Sequence, residues 1–284
     1  MSLGKILVAL NGATQDEVLL TTAVRAAKLF NAHVAVAFAH ENPGEAASSM
    51  GVPLSAEAMS AIFDANVQIF RAMAERIRNT MTRVAASEGA IVVETPHRAA
   101  KVTLSFHESI GYPPEVIGNL AGLADLTVCG PARNSTTAFE TDIDLILQHR
   151  RPVLVTSSVP AVFHKVAIGW NNTPAAARAI SAAMPFLEKA KSVQLLCLEK
   201  ATTEQFGTRA VAAYLNAHGI EPRELHLGSY DTASKDEISN LARGGGADLL
   251  VIGAFGHSRV SETIFGGVTN ETLRRPFLPV LLAH

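Results

Sequence analysis

Aromatic residues make up only 6% of this 284-residue chain, which contains two cysteines and one tryptophan. So few cysteines exclude a disulfide-stabilised scaffold, and we expect Cys129 and Cys197, each inside an apolar run, to be buried free thiols. The formal net charge of -2 argues against a protein that wraps nucleic acid or adheres to an anionic membrane. No apolar run is long enough to cross a bilayer, and the apolar start of the chain is too short for a signal peptide. We therefore expect a cytoplasmic protein without nucleic-acid or membrane partners.

The chain is rich in aliphatic residues, and its pattern repeats. Hydrophobic residues make up 48% and charged residues 18% of the sequence, which is ample for buried cores. Residues 5–11 (KILVALN) and residues 165–171 (KVAIGWN) each read as a buried strand that ends in a polar turn before an amphipathic helix. Residues 124–130 (ADLTVCG) correspond in the same way to residues 247–253 (ADLLVIG). An internal repeat of this kind predicts two copies of one structural unit.

We predict two domains in tandem, at residues 1–157 and 163–284, because each half also closes on a strand introduced by proline. Strands that alternate with helices form parallel sheets with right-handed crossovers. The predicted fold class is therefore α/β, with two doubly wound, Rossmann-like domains. The first domain has an enlarged middle region, residues 41–89, which reads as a Pro/Gly/Ser-rich stretch followed by a long helix. We expect the apolar stripe of this helix to be core.

Glycines follow the fourth predicted strand of the second half. In a doubly wound sheet, ligands bind outside the carboxyl ends of the strands, where the strand order reverses. Gly253 and Gly256 lie in the loop after this strand, and Gly266 and Gly267 immediately precede a helical stretch. Glycines let a ligand approach the backbone, and free N–H groups at a helix start favour phosphate oxygens. Tight turns also need glycines, so the spacing alone indicates a phosphate site only weakly.

The run from 251 to 282 resembles the C-terminal signature of the universal stress protein family, whose ATP-binding members carry Gly, two residues, Gly, nine residues, Gly, then Ser or Thr. Gly253, Gly256 and Gly266 stand in register with those glycines. The resemblance implies an adenine-nucleotide alpha-hydrolase-like fold. It also implies a regulatory module of the stress response that binds ATP or AMP, with Mg²⁺, and performs no catalysis. By the same analogy the backbone around Leu198 would meet the adenine edge. His257, inside the glycine motif, is a candidate phosphate contact.

Two positions of the second half depart from the family pattern. Gly267 stands where the phosphate-contacting hydroxyl is expected, and Thr269, Ser258 and Ser261 are substitutes outside the family register. Asn171 stands where the family has an aspartate after its first strand. Asparagine still donates and accepts hydrogen bonds, but it brings no charge to a metal or a ribose hydroxyl.

The first half departs further. After Gly130 the second and third glycines are absent, and Glu140, Asp142 and Asp144 stand where a phosphate would approach. Coulomb repulsion makes this a poor triphosphate site. We interpret the first half as a degenerate copy with a structural or regulatory role.

Two alternatives to a nucleotide-responsive module stay open. One is a nucleotide-free interaction scaffold, favoured by Asn171, Gly267 and the degenerate first half. The other is an enzyme, either a slow ATPase or a hydrolase that acts on a nucleotide alpha linkage, for which Glu262 and His257 are the candidate bases beside the glycine loop. The ten histidines are dispersed without metal-ligand spacing, so no metal site is predicted. A protein partner of unknown identity is expected, and a homodimer is an option in addition to the pseudo-two-fold packing of the two halves that the resemblance implies.

Overall fold

The computed structural model describes residues 3–44, 55–96, 99–133, 135–198, 207–227, 235–255 and 272–284. The elements of the first half are β1 (Lys5–Ala9), α1 (Asp16–Lys28), β2 (His33–His40), α2 (Ala56–Glu88), β3 (Ile91–Val92), β4 (Thr103–Ile110), α3 (Pro113–Ala121), β5 (Leu126–Cys129), α4 (Thr136–Leu147) and β6 (Val153–Val155). The elements of the second half are β7 (Lys165–Trp170), α5 (Pro174–Leu187), β8 (Ser192–Leu198), α6 (Thr208–Ala217), β9 (Arg223–Leu227), α7 (Lys235–Gly244), β10 (Leu249–Gly253) and β11 (Val280–Ala283).

Local chemistry explains where several helices begin and end. The side chains of Ser55, Ser135 and Thr173 each accept a hydrogen bond from a backbone N–H in the first turn of α2, α4 and α5. These caps satisfy donors that have no partner inside the helix. The long helix α2 ends at Gly89, which has a left-handed φ of 68°, a conformation that glycine adopts without steric cost.

All the strands form one 11-stranded sheet in the order β3-β4-β2-β1-β5-β6-β11-β10-β7-β8-β9. Every neighbouring pair is parallel except β6 and β11. The order β4-β2-β1-β5-β6 in the first half is repeated as β9-β8-β7-β10-β11 in the second. The predicted α/β class with doubly wound parallel sheets is therefore confirmed, and the strand order reverses between β1 and β5 and between β7 and β10.

The repeat extends to individual hydrogen bonds. Oδ2 of Asp125 accepts hydrogen bonds from the backbone N–H groups of Gly4 and Lys5, at 2.7 and 3.0 Å. In the second half, the carboxylate of Asp248 accepts hydrogen bonds from the backbone N–H groups of His164 and Lys165, both at 3.0 Å. Both aspartates belong to the repeated ADL sequence, and both satisfy donors at the amino end of the first strand of their half.

The two halves join through the antiparallel pair β6–β11. Leu154 lies opposite Leu281 at the centre of this pair, and Val153 lies opposite Leu282. Corresponding strands therefore meet around a local two-fold axis, as the resemblance implied. The two half-sheets thus become one continuous sheet, while the boundary between residues 157 and 163 stays a prediction.

Buried side chains cover both faces of the sheet. One core contains Ile6 and Val8 of β1 and residues of α1, α2, α5 and α6, and the other contains Leu7 and residues of α3, α4 and α7. This two-sided cover is the reason that the strands read as continuous apolar runs. No helix in the described part of the chain is both long and apolar enough to cross a membrane.

The enlarged middle of the first half holds two differences from expectation. Only the C-terminal part of the stripe on α2 is fully core, with Ile77, Met81 and Val84 buried. The N-terminal members of the stripe are half-buried, and they are Ile62, Val67, Phe70 and Met73. In the sequence, residues 91–94 and residues 102–105 are alternative candidates for the third strand of the first half, and both segments contribute to strands. They are β3 and β4, and β3 adds an edge strand that the second half lacks among its described residues.

Candidate functional site

The structure places three of the predicted site residues at one edge of the second half-sheet. Asn171 follows β7, Leu198 ends β8 and Gly253 ends β10. The register pairs Trp170 with Cys197 and Gly169 with Ile252, so all three residues lie at the carboxyl ends of adjacent strands. This is the edge at which the strand order reverses. The other five predicted residues lie outside the described residues; they are Gly256, His257, Gly266, Gly267 and Thr269.

The side chain of Asn171 takes part in the turn that starts α5. Its Oδ1 accepts a hydrogen bond from Oγ1 of Thr173 at 2.7 Å, and Oγ1 of Thr173 accepts one from the backbone N–H of Ala176 at 3.2 Å. Asn172 between them has a φ of 58°, which asparagine tolerates better than most residues. The neutral oxygen of Asn171 is thus already engaged, and its amide N–H groups are the polar atoms it can offer a ligand.

Gly253 has a role in packing that is separate from any ligand. A Cβ at this position would lie 2.4 Å from the backbone nitrogen of Ala176 and 2.5 Å from the carbonyl carbon of Ala175. The end of β10 and the first turn of α5 therefore approach each other so closely that only glycine fits. The fold by itself accounts for the first glycine of the motif.

Trp170 lies beside the predicted site residues, and its position in the sequence predicts only that it packs between sheet and helix. It packs against the core and lines a cavity of about 220 Å³ between α5 and α6, with Ile180, Val211 and Tyr214 among the other lining residues. Its indole Nε1–H is buried and has no hydrogen-bond partner among the described residues. A buried donor without an acceptor is costly, so this N–H is a polar group whose hydrogen bond the described residues do not supply. A wider groove of about 680 Å³ lies where α5 and α6 end, away from the strand ends that carry the predicted site.

The first half contains a second cavity at the corresponding edge, which we call the first-half cavity. It has a volume of about 260 Å³ and lies at the carboxyl ends of β1 and β5. Its lining includes Asn11, Asp16, Ile117, Cys129, Ser135 and Asp142. Asp142 is one of the three carboxylates that the sequence predicts to repel phosphate, whereas Asp16 is not among the predicted site residues.

Asp142 is buried and uncharged, which corrects that electrostatic argument. Its side chain is 2% exposed, and burial raises its pKa from 3.8 to about 8, against a smaller lowering by the neighbouring thiol of Cys129. Burial, together with this carboxyl group, raises the pKa of Cys129 well above its ordinary value. Asp142 therefore carries its proton at neutral pH and does not repel an anion by charge. Glu140, in contrast, is exposed and accepts a hydrogen bond from the Tyr112 hydroxyl at 2.7 Å.

Asp16 is the charged member of the cavity. It is 3% exposed, and its carboxylate accepts hydrogen bonds from the backbone N–H of Gly12 at 2.7 Å and of Asn11 at 3.5 Å. Burial raises its pKa from 3.8 to about 6, while those N–H groups act in the opposite direction. Asp16 is therefore ionised at neutral pH and holds the loop after β1 in place.

Cys129 and Cys197 are both buried thiols that form no disulfide, as predicted. Among the residues that the structure describes, no three His, Cys, Asp or Glu side chains come together in a way that could hold a metal ion.

The chain has the fold of a doubly wound α/β protein, and the described part of the predicted site lies at the edge where the strand order of the second half reverses. The family model described as the universal stress protein family matches residues 172–284, which confirms the resemblance predicted from the sequence for the second half. The first half lies outside this match, and its likeness to the solved structures below concerns the fold alone. No curated protein shows a significant sequence match to the chain.

Two solved structures resemble the chain over almost its whole length. A universal stress protein from Archaeoglobus fulgidus DSM 4304 has a TM-score of 0.67 at 14% identity, with 99% of this chain and 96% of that chain covered. A putative universal stress protein from Pseudomonas aeruginosa UCBPP-PA14 has a TM-score of 0.57 at 15% identity, with 99% of this chain and 93% of that chain covered. At such identities the likeness concerns the fold alone.

Proposed function

We propose that this chain is a cytoplasmic, universal-stress-type regulatory protein whose second half binds an adenine nucleotide, ATP or AMP, and which performs no catalysis. The observation that carries the proposal is the family match at residues 172–284, which includes the whole glycine motif. The position of Asn171, Leu198 and Gly253 at the edge where the strand order reverses adds support, because ligands of doubly wound sheets bind there.

The described residues fit a nucleoside better than they fit a metal ion. No acceptor for the buried indole N–H of Trp170 is found in the described part of the chain, and purine nitrogens or ribose oxygens are acceptors of suitable strength. Asn171 offers amide N–H groups, but its oxygen is neutral and already bonded to Thr173. Mg²⁺ prefers carboxylate and phosphate oxygens, so we expect any Mg²⁺ to be held mainly by the nucleotide.

Regulation would follow from a shift between two conformations. In this proposal the nucleotide binds the glycine segment from 253 to 267, most of which lies outside the described residues, and changes the affinity for a protein partner. A ligand moves such an equilibrium only through its different affinities for the two states. The glycine segment follows directly from β10, which is hydrogen-bonded to β7 and β11 within the sheet. The sheet therefore fixes the position at which the segment begins.

The first experiment identifies the bound ligand directly. The purified full chain is denatured, and any released nucleotide is identified by chromatography and mass spectrometry. Binding of added Mg-ATP is then measured by calorimetry for the wild type and for Gly256→Asp, which places a negative charge in the motif. The matched control is Gly244→Asp at the end of α7, where an added Cβ meets no atom within 4 Å.

We expect about one nucleotide per chain, lost in Gly256→Asp and kept in Gly244→Asp. Phosphate release from ATP should not exceed that of a blank, whereas turnover would favour the slow ATPase. A chain that is isolated empty and does not bind Mg-ATP would contradict the proposal and support the nucleotide-free interaction scaffold.

A further inference from the structure

The first-half cavity has the features of a built site. It lies where the strand order reverses between β1 and β5, and its volume of about 260 Å³ corresponds to about nine water molecules at roughly 30 Å³ each. Ala13, Ser135 and Thr137 line it and are exposed, so the cavity opens to solvent between the loop after β1 and the start of α4. A small organic molecule can therefore enter it.

Apolar side chains form a large part of the cavity wall, and the ionisable carboxyl groups among the lining residues have one sign of charge. Asp16 and Asp142 are the two ionisable acids among the lining residues, and no lysine, arginine or histidine lines the cavity in the described part of the chain. Leu10, Leu19, Pro113, Ile117 and Pro131 form apolar surface around them. An anionic ligand would meet the ionised Asp16, whose charge is offset only by Arg76, which is not among the lining residues.

The carboxyl group of Asp142 is only partly hydrogen-bonded within the described residues. Its Oδ2 is buried and has no hydrogen-bond partner among the described residues, although the side chain is only 2% exposed and lines the cavity. Arg76 lowers the pKa of Asp16 by Coulomb attraction. No cationic group among the described residues contributes to the pKa shift of Asp142. A buried carboxyl group without a cationic partner destabilises the fold. A ligand with a cationic group and N–H donors would supply both the counter-charge and the missing hydrogen bonds.

We propose that the first-half cavity is a second ligand site, which binds a small organic amine in its ammonium form through Asp142. The ammonium group donates hydrogen bonds to the Asp142 carboxylate, and the hydrocarbon part of the amine lies against the apolar walls. The proposal concerns the half of the chain without the glycine motif, and it does not depend on nucleotide binding in the second half.

Binding has a proton balance that can be measured. The neutral carboxyl group of Asp142 gives up its O–H proton to solvent, and the ammonium ion takes the position of that proton as the counter-charge. Because the pKa of Asp142 is about 8, this ionisation at pH 7 reduces affinity by only about tenfold. A neutral ligand of the same shape requires no such release.

The experiment compares phenethylamine with 2-phenylethanol, which has the same shape without the charge, and with 3-phenylpropanoate. Each is titrated into the full chain by calorimetry in two buffers of different ionisation enthalpy, which gives the number of protons released. The variants are Asp142→Asn, Asp144→Asn as the matched control on the same helix, and Ala138→Phe. The last of these fills the cavity but leaves every carboxyl group of the cavity in place. The thermal unfolding of each variant is recorded to establish that it is folded.

We expect the amine to bind in preference to the alcohol and the acid, with about one proton released per amine at pH 7. Asp142→Asn and Ala138→Phe should each weaken the amine by about tenfold or more, the effect of one lost charge-assisted hydrogen bond or of a filled cavity. Asp144→Asn should bind like the wild type. The proposal is overturned if the amine does not bind, if the alcohol binds as well as the amine, if binding releases no proton, or if the amine binds Asp142→Asn or Ala138→Phe undiminished.

Discussion

Phe30 of the first half meets Phe186 of the second half edge-on, with ring centroids 5.4 Å apart and the rings at 89°. Phe186 is 1% exposed and also packs against Phe163, in the segment that connects the halves, at 5.1 Å. Helices of both halves therefore share one core across the junction that β6 and β11 form.

This shared core predicts that the two halves unfold together. Phe186→Ala should lower the free energy of unfolding by about 4 kcal/mol, because it removes a fully buried ring and leaves a cavity. Chemical denaturation followed by circular dichroism should show a single transition in the wild type. Phe63→Ala, at a side chain that is 44% exposed, should cost less than about 1 kcal/mol. Two separate transitions in the wild type would contradict the shared core.

The contact between Gly253 and Ala176 predicts a cost that is independent of ligand. Gly253→Ala places a methyl group against backbone atoms at 2.4 and 2.5 Å, and backbone yields less than a side chain does. We expect a loss of about 3 kcal/mol in the free energy of unfolding without nucleotide. Gly130→Ala at the corresponding position of the first half should cost clearly less, because its closest contact is the flexible end of Leu19 at 3.2 Å. Equal stability of Gly253→Ala and wild type in urea denaturation would show that the packing is looser than described.

The raised pKa of the buried Asp142 carboxyl group predicts that the free energy of unfolding depends on pH. Its pKa rises from 3.8 in the unfolded chain to about 8 in the fold because of burial, so the folded chain keeps a proton that the unfolded chain releases. The stability linked to this proton is complete below pH 3.8 and is lost progressively as the pH rises to about 8. The stability of Asp142→Asn relative to wild type should therefore increase across this range and level off above it. Urea denaturation at several pH values measures the trend, and the half-exposed Asp144→Asn should not show it.

Trp170 is the single tryptophan of the chain, so its fluorescence reports on the second half alone. If a nucleotide binds beside Asn171, Mg-ATP should change the emission of Trp170, because the environment of its indole N–H changes. The change should disappear in Gly256→Asp and persist in Asp142→Asn, which alters only the first-half cavity. Binding of Mg-ATP by calorimetry without any change in fluorescence would place the nucleotide away from this edge.

Much of the fold is predictable from short stretches of sequence. The runs 5–11 and 165–171 become β1 and β7 because apolar residues bounded by a polar turn favour a buried strand. The repeated ADL segments become β5 and β10, and their aspartates bond to the start of the neighbouring strand. The cysteines are buried because they lie within such strands.

The candidate site was predictable only in part. Strand ends and glycines indicated Asn171 and Gly253, because the position of a ligand in a doubly wound sheet follows from strand order. The indole N–H of Trp170 gave no signal, since whether a donor lacks a partner depends on every neighbour in space. Asp142 was misjudged for a related reason, because a charged residue in a polar-looking segment such as FETDIDLIL reads as exposed.

The sequence by itself therefore determined the two α/β repeats, the order of their elements and the position of the glycine motif, because these depend on local periodicity and turn chemistry. Tertiary structure decided that β6 and β11 join the halves into one sheet, because strands of three and four residues so far apart in the chain leave no local pattern that specifies their pairing. It also decided that Asp142 loses its charge, because the pKa of a carboxyl group depends on the water and counter-charges that packing removes.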